Sequence, residues 1–146
     1  MGEHRLVSAS TVIAATAETL FEWIADPALQ PAWDGNENLL AAEEGQRVRA
    51  VGNVFTMTLT MGQARDNHVV EFEEGRRIAW LPAPEGAEPL GHLWRWELDP
   101  TDGGTLVTHT YDWTELQDET RLWRARATTE TSLRASIDRL AGVVGA

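Results

Sequence analysis

The stretch Leu90–Trp113, LGHLWRWELDPTDGGTLVTHTYDW, holds the clearest strand pair in the sequence. Bulky apolar residues alternate with smaller or charged ones on both sides of Asp99–Gly104, a connection rich in turn residues. Such alternation is typical of strands with one buried face, so it predicts an antiparallel hairpin. With a symmetric six-residue connection, the predicted cross-strand pairs are Leu98 with Thr105, Trp96 with Val107, Trp94 with His109, and His92 with Tyr111.

Further strands are predicted upstream of this hairpin. In Val54–Met61 the side chains Phe55, Met57, Leu59 and Met61 alternate strictly with threonines, which indicates a strand buried on one face. Shorter apolar runs bounded by turn residues predict the others. These are Leu6–Ala14, Asn38–Ala42, Arg47–Val51, Ala64–Glu73 and Arg77–Leu81.

Helices are predicted at three places. Ala17–Asp26 has apolar residues at helical spacing and Thr16 as its N-cap, and Pro27 ends it. A second short helix or turn follows. Near the C-terminus, Asp118–Val144 predicts one long helix of about twenty-five residues with an apolar stripe. The stripe consists of Leu122, Thr129, Leu133, Ile137, Leu140 and Val144.

This order of elements predicts an α+β fold in a single domain, residues 1–146. An antiparallel sheet of about seven strands must cover its apolar face, and only the last helix is long enough to do so. We therefore expect a strongly curved sheet wrapped around a long C-terminal helix, with two short helices after the first strand. A pocket can form where sheet and helix diverge.

The composition excludes several classes of function. The net charge is −11, which disfavours binding to nucleic acid or anionic lipid. No lysine is present for a Schiff base and no cysteine for thiol chemistry. Residues 1–10 lack the pattern of a signal peptide, and no apolar run is long enough to span a membrane. We expect a cytoplasmic protein, monomeric or homodimeric, without a cofactor.

Three segments together resemble one known family. They are VIAATAETLFEWIADPALQPAWDGN, the pair LWRWEL and GGTLVTHTYDW, and the closing SLRASIDRLAG. The chain resembles the polyketide cyclase/dehydrase-like branch of the START-like helix-grip (SRPBCC) superfamily over essentially its whole length. The resemblance implies a helix-grip fold with a ligand cavity. Members include lipid and hormone binders, polyketide cyclases and chaperone-associated domains, and the resemblance supplies no catalytic signature.

The predicted hairpin places His92, His109 and Tyr111 on the helix-facing side among tryptophans. A neutral imidazole can take a proton from carbon next to a ketone while a phenol polarises the carbonyl. These three are the candidate catalytic residues, and the alternative is that they are hydrogen-bonded core residues. A one-residue slip in register would turn them outward. Three histidines suggest zinc, but no metal-binding spacing supports it, so we expect no metal.

The predicted pocket combines these three residues with inward-facing neighbours. His68 shares strand parity with Val70 and Phe72, and Arg126, if it faces inward, would bind a ligand carboxylate or pair with a cavity acid. The candidate ligand-binding residues are Phe55, Met57, Leu59, His68, Phe72, His92, Trp94, Trp96, His109, Tyr111, Trp113, Arg126 and Leu133.

Three functional hypotheses follow from this pocket. The first is a binding protein for a small hydrophobic or aromatic, polyketide- or lipid-like molecule. The second is a cyclase, aromatase or dehydratase that uses the cavity histidines and tyrosine as acid and base. The third is a protein-interaction module of the chaperone-associated type, for which a filled interior would be expected.

Overall fold

The computed structural model describes residues 5–146, so residues 1–4 of the segment expected to lack a signal peptide lie outside it. Seven strands form one antiparallel sheet, in the spatial order β1-β7-β6-β5-β4-β3-β2. The strands are β1 Leu6–Ile13, β2 Leu39–Ala41, β3 Val54–Leu59, β4 Ala64–Glu73, β5 Arg77–Pro84, β6 Leu93–Thr101 and β7 Gly104–Asp112. The helices are α1 Ala17–Ala25, a 3₁₀ helix Pro27–Ala32, α2 Glu119–Ala127 and α3 Glu130–Val143. The α+β class and the helix-grip arrangement are confirmed.

The β6–β7 hairpin is confirmed, but its predicted register is wrong by two residues. Trp96 pairs with His109 and Trp94 with Tyr111, because the strands continue to Thr101 and Gly104. The connection is only Asp102-Gly103, a dipeptide favoured in two-residue hairpins. Gly104 must be glycine here, since a Cβ atom would lie 2.0 Å from the carbonyl oxygen of Ile13.

The apolar core lies between the inward face of the sheet and helices α1 and α3. In α1, Leu20, Phe21 and Ile24 are buried, and Thr16 caps the helix by accepting the backbone N–H of Thr19 at 3.2 Å. The α3 residues that enter the core are Leu133, Ile137 and Leu140, all of which are fully buried. The two helices therefore fill one end of the sheet.

The predicted single C-terminal helix is wrong, because α2 and α3 are separate helices. Thr128 has extended backbone angles, and Thr129 begins α3 with a capping box in which it exchanges hydrogen bonds with Ser132. Only Ala125 of α2 is buried, whereas α3 buries four residues.

The strand predicted at Arg47–Val51 does not form. Instead, the Val48 N–H donates to the carbonyl of Ala25 at 2.9 Å, so the segment runs along α1. The side-chain amide of Gln46 exchanges two hydrogen bonds with the backbone of Thr56, which satisfies β3 where a neighbouring strand would have paired. No helix within residues 5–146 has the length and apolar character to cross a membrane.

Candidate functional site

A cavity of about 400 Å³ lies between the inward face of the sheet and the segments that cover it. Side chains from strands β3 to β7 form its floor, and Leu39 of β2, the 3₁₀ helix, the loop after it, α2 and α3 form its walls. The floor residues from the strands are Met57, Leu59, Arg65, Asn67, Trp80, Pro82, Trp94, Trp96, His109 and Tyr111. The mouth is marked by lining residues that are themselves exposed, including Asn36, Met61 and Arg124.

Aromatic rings from β6 and β7 are stacked along the floor. The rings of Trp96 and His109 lie 3.8 Å apart and nearly parallel, at 17°. Trp94 packs on the other side, with its ring centroid 5.6 Å from His109 and 4.3 Å from Tyr111. These contacts follow from the register, because directly paired residues on one face of a sheet lie closest. Trp94 is the partly exposed ring of this stack, and it is backed by the buried rings of His109 and Trp96.

His109 is held in one orientation. Its Nδ1 lies 3.0 Å from the carbonyl oxygen of Arg95 and must donate, because a carbonyl can only accept. Burial lowers the pKa of His109 to about 3, although this hydrogen bond raises it slightly. The ring is therefore neutral at physiological pH, with its proton on Nδ1 and Nε2 free to accept.

His92 and Tyr111 are neighbours in the cavity lining, with their ring centroids 6.0 Å apart. Burial lowers the pKa of His92 to about 4, helped by the charges of Arg121 and Arg65. Burial also raises the pKa of Tyr111 to about 12, so its phenol stays protonated. Both side chains can therefore form neutral hydrogen bonds with a carbonyl or hydroxyl group.

His92 precedes β6 rather than lying within it, and Gly91 sets its position. Gly91 has a φ of +110°, and a Cβ there would lie 2.3 Å from the carbonyl oxygen of Glu115. The chain therefore crosses closely under the loop that leads to α2, which only glycine allows. This close crossing places His92 in the cavity lining although it lies outside β6.

Two polar atoms of the cavity lining are buried without a hydrogen-bond partner among the described residues. They are Nε1 of Trp96, a donor, and Nδ1 of His92. Buried polar groups in folded proteins nearly always have partners. Both residues belong to the cavity lining, so a small shift of either side chain would bring these atoms within reach of a polar group in the cavity.

The wall opposite β6 is fixed by hydrogen bonds from the 3₁₀ helix and its following loop. Trp33 Nε1 donates to the carbonyl of Trp23 at 2.8 Å, and its ring packs edge-on against Trp96 at 5.1 Å. The Asp34 carboxylate accepts three backbone N–H groups, from Asn36, Asn38 and Leu39, at 3.0–3.3 Å. This buried carboxylate is thus already used in shaping the wall.

The structure brings seven of the thirteen predicted ligand-binding residues to the cavity. They are Met57, Leu59, His92, Trp94, Trp96, His109 and Tyr111. The two-residue error in register left this set intact, because a shift by two keeps every side chain on its face.

The other six predicted residues lie outside the cavity lining. Phe55 packs edge-on against Trp80, Phe72 packs against Phe21, and Leu133 is part of the core. Trp113 is buried beneath the guanidinium of Arg5, and Arg126 lies 6.0 Å from the Trp113 ring. These positions do not support contact with a ligand in the cavity, although they support the residues that line it.

His68 does not face inward, because β4 contains a bulge. The register of β4 against β5 shifts between Val69 and Glu71, so Val70 is an extra, exposed residue. Because of this extra residue, the even-numbered residues that precede the bulge, including His68, face away from the core although Phe72 faces it. Asn67 and Val69 are buried instead, and Asn67 lines the cavity.

Three arginines that line the cavity were not predicted from the sequence: Arg65 on β4 and Arg121 and Arg124 on α2. Arg65 shares strand parity with Asn67, so the same bulge hid both. Arg121, Arg124 and Thr128 lie three and four residues apart, the spacing of one helix face. That face is recognisable only if α2 is treated as a helix separate from α3.

Comparison with known proteins identifies the relatives of this fold. The family model for polyketide cyclase/dehydrase and lipid transport proteins matches residues 4–145. The chain belongs to this family. The family description covers both enzymes and lipid transport proteins. Membership therefore supports binding of a hydrophobic ligand but does not distinguish an enzyme from a carrier.

Similar individual proteins agree with this placement. An uncharacterized Mycobacterium tuberculosis protein, Rv0088, is 30% identical over 113 residues, which are 73% of this chain. The chain spans about half, 47%, of the length of that relative. The crystal structure of MLL2253 from Mesorhizobium loti superposes with a TM-score of 0.72 at 19% identity, covering 97% of both chains. DynU16, from the dynemicin biosynthetic locus, superposes with a TM-score of 0.67 at 15% identity, over 98% of this chain and 48% of its own.

Proposed function

We propose that the protein binds a small hydrophobic or aromatic molecule in the cavity between the sheet and the C-terminal helices. The observation that carries the proposal is the stack of Trp94, His109 and Trp96 along the cavity floor. A flat aromatic surface beside a void of about 400 Å³ suits a planar ligand of modest size. Membership of a family that includes lipid transport, and likeness to a protein of a biosynthetic locus, support the same class of ligand.

The ligand should also carry polar atoms at defined places. Tyr111 can donate its phenolic proton to a carbonyl or hydroxyl oxygen, and Trp96 Nε1, which is buried without a partner among the described residues, can do so after a small shift of its side chain. His109 offers its unprotonated Nε2 as an acceptor. An oxygenated aromatic molecule, such as a polyketide-like compound, would satisfy these groups better than a pure hydrocarbon.

Acid–base catalysis on such a ligand is a second candidate, favoured by the closeness of His92 and Tyr111. It requires a base whose pKa lies near the working pH. The pKa values of His92 and His109, about 4 and about 3, make both weak bases at neutral pH. Binding therefore ranks above catalysis, and chemical change of a bound ligand with time would reverse that order.

The binding proposal is tested with the neutral aromatic probe N-phenyl-1-naphthylamine, whose fluorescence rises in an apolar site. We expect saturable one-to-one binding. Leu59→Trp should weaken it by about tenfold or more, equivalent to at least about 1.4 kcal/mol, because the larger ring occupies the cavity. Val54→Trp is the matched control, since Val54 lies on the same strand with its side chain exposed.

Equal affinity in Leu59→Trp and Val54→Trp would place the probe elsewhere and overturn the proposal. Absence of saturable binding to the unaltered protein would do the same. Circular dichroism and thermal unfolding of each variant check that the fold is retained.

A further inference from the structure

The α2 side of the cavity carries a concentration of positive charge. A smaller pocket of about 180 Å³ adjoins the cavity there, and both are lined by Arg65, Arg121 and Arg124. These three residues, called the arginine cluster below, come from β4 and from one face of α2. Gln63 also lines both spaces, and Thr120 and Trp123 complete the smaller one.

No carboxylate among residues 5–146 forms an ion pair with the arginine cluster. This is unexpected in a chain with 23 acidic and 12 basic residues. At least six of the nine other arginines have a carboxylate partner in the described chain, namely Arg47, Arg76, Arg77, Arg95, Arg134 and Arg139. The one acidic residue of the cavity lining, Asp34, uses its carboxylate on backbone N–H groups.

The contacts that the cluster makes include no carboxylate of the described residues within ion-pair distance. Its charge does act on Asp118, whose pKa is lowered by hydrogen bonds from Thr120 and in part by the charge of Arg121. Arg65 donates to the carbonyl of its neighbour Ala64 at 3.2 Å, and Arg124 lies 5.2 Å from the ring of Trp123. Burial lowers the pKa of Arg65, and the charges of Arg121 and Arg124 lower it further. Three like charges beside one cavity repel one another, and an anion placed among them would relieve that repulsion.

Resting on the proposed function, we propose that the ligand is an amphiphilic acid: an apolar, aromatic body in the cavity and one anionic group held by Arg65, Arg121 and Arg124. The planar guanidinium group presents paired N–H donors that match the oxygens of a carboxylate, sulfonate or phosphate. The body then lies on the stack of Trp94, Trp96 and His109, and the anionic group lies at the mouth. Nucleic acid does not fit, because the chain as a whole has a net charge of −11.

The test compares two probes that differ by one charged group. 1-Anilinonaphthalene-8-sulfonate is N-phenyl-1-naphthylamine with an added sulfonate, so the apolar body is the same. At low ionic strength we expect the sulfonate to bind about tenfold more tightly than the neutral probe. Added salt should weaken binding of the sulfonate and leave the neutral probe unaffected.

A charge-matched pair of variants locates the effect. In the double variant Arg121→Gln/Arg124→Gln, affinity for the sulfonate should fall about tenfold relative to affinity for the neutral probe. The control is Arg76→Gln/Arg77→Gln, which removes the same charge from the β4–β5 turn, where both arginines face carboxylates. Circular dichroism and thermal unfolding report whether each variant is folded.

The possible outcomes separate the two proposals. If neither probe binds saturably, the proposed function fails. If the neutral probe binds but the sulfonate binds no more tightly, or if both double variants weaken the sulfonate equally, the amphiphilic-acid proposal fails alone. If the sulfonate binds more tightly and only Arg121→Gln/Arg124→Gln weakens it, the proposal stands. Competition by 2-naphthoate and by 2-naphthyl phosphate then shows whether the cluster prefers a carboxylate or a phosphate.

Discussion

Strands β6 and β7 run through two contrasting halves of the molecule. Near their connecting turn, the inward side chains Leu98, Thr105 and Val107 pack with Ile137 of α3 into a solid core, here called the filled half. Towards their other ends, Trp94, Trp96, His109 and Tyr111 line a cavity, here called the hollow half. The same two strands therefore stabilise the fold at one end and build the site at the other.

The covering helices differ in the same way. Helix α3 places three buried aliphatic residues over the filled half and only Ser136 against the cavity, whereas α2 places one buried alanine and two cavity-lining arginines over the hollow half. Burial of aliphatic side chains contributes stability in proportion to area, and uncompensated charge does not. The comparison implies that residues of the filled half are chosen for stability and those of the hollow half for binding.

The largest expected effect is on the filled half. Ile137→Ala should lower the free energy of unfolding by about 2–5 kcal/mol, because it leaves a void in a fully buried site. Urea denaturation measures this loss. Asp138→Ala, on the exposed side of α3, is the control and should change stability by less than about 0.5 kcal/mol.

The contrast between the two halves would be wrong if truncating a side chain of the hollow half lowered the free energy of unfolding as much as Ile137→Ala does. Leu39→Ala removes a half-exposed side chain that lines the cavity. It should cost clearly less than Ile137→Ala, since its methyl groups already face a void on one side. A loss as large as that of Ile137→Ala would show that the cavity wall carries as much of the stability as the core.

The filled half could largely be predicted from the sequence, and the reason is periodicity. Alternation in β3, β6 and β7 identified the buried faces, and the helical spacing of Leu133, Ile137 and Leu140 identified the face of α3 that packs on them. Apolar burial repeats with the secondary structure, so a pattern in one segment is enough to recognise it.

The hollow half depended on irregularities that periodicity does not reveal. The bulge at Val70 reversed the parity of His68 and concealed Arg65, and the break at Thr128 concealed the face of Arg121 and Arg124. The break had a local signal, the Thr129–Ser132 capping box, within a run of β-branched and hydroxyl residues. The bulge had none, because it is decided by the pairing of β4 with β5.

The next effect in size is the response of the hollow half to pH. Burial holds the pKa of His92 at about 4 and that of His109 at about 3, below the ordinary value of 6.5. Below pH 6.5 these two histidines therefore become protonated in the unfolded chain but stay neutral in the folded chain. Stability is present above pH 6.5 and falls as the pH is lowered, with a slope for each histidine that approaches about 1.4 kcal/mol per pH unit between pH 6.5 and its folded pKa.

Urea denaturation between pH 7.5 and 5.5 measures this slope, and His109→Gln should reduce it by about half. Ile137→Val is the control from the filled half, since it lowers stability by about 0.5–1.5 kcal/mol at every pH without changing the slope. An unaltered slope in His109→Gln would mean that this histidine is not buried in the neutral form.

The smallest expected effect concerns two hydroxyl groups on β7, one in each half. Thr105 Oγ1 donates to the carbonyl of Ala15 at 2.8 Å, whereas the Tyr111 hydroxyl has no hydrogen-bond partner among the described residues. Thr105→Val should therefore cost about 1 kcal/mol of unfolding free energy, and Tyr111→Phe less than about 0.5 kcal/mol. The order should reverse for an oxygenated aromatic ligand, whose affinity Tyr111→Phe lowers and Thr105→Val leaves unchanged. If Tyr111→Phe instead destabilises the protein and spares binding, the phenol contributes to the core. Tyr111 would then belong to the filled half rather than to the hollow half.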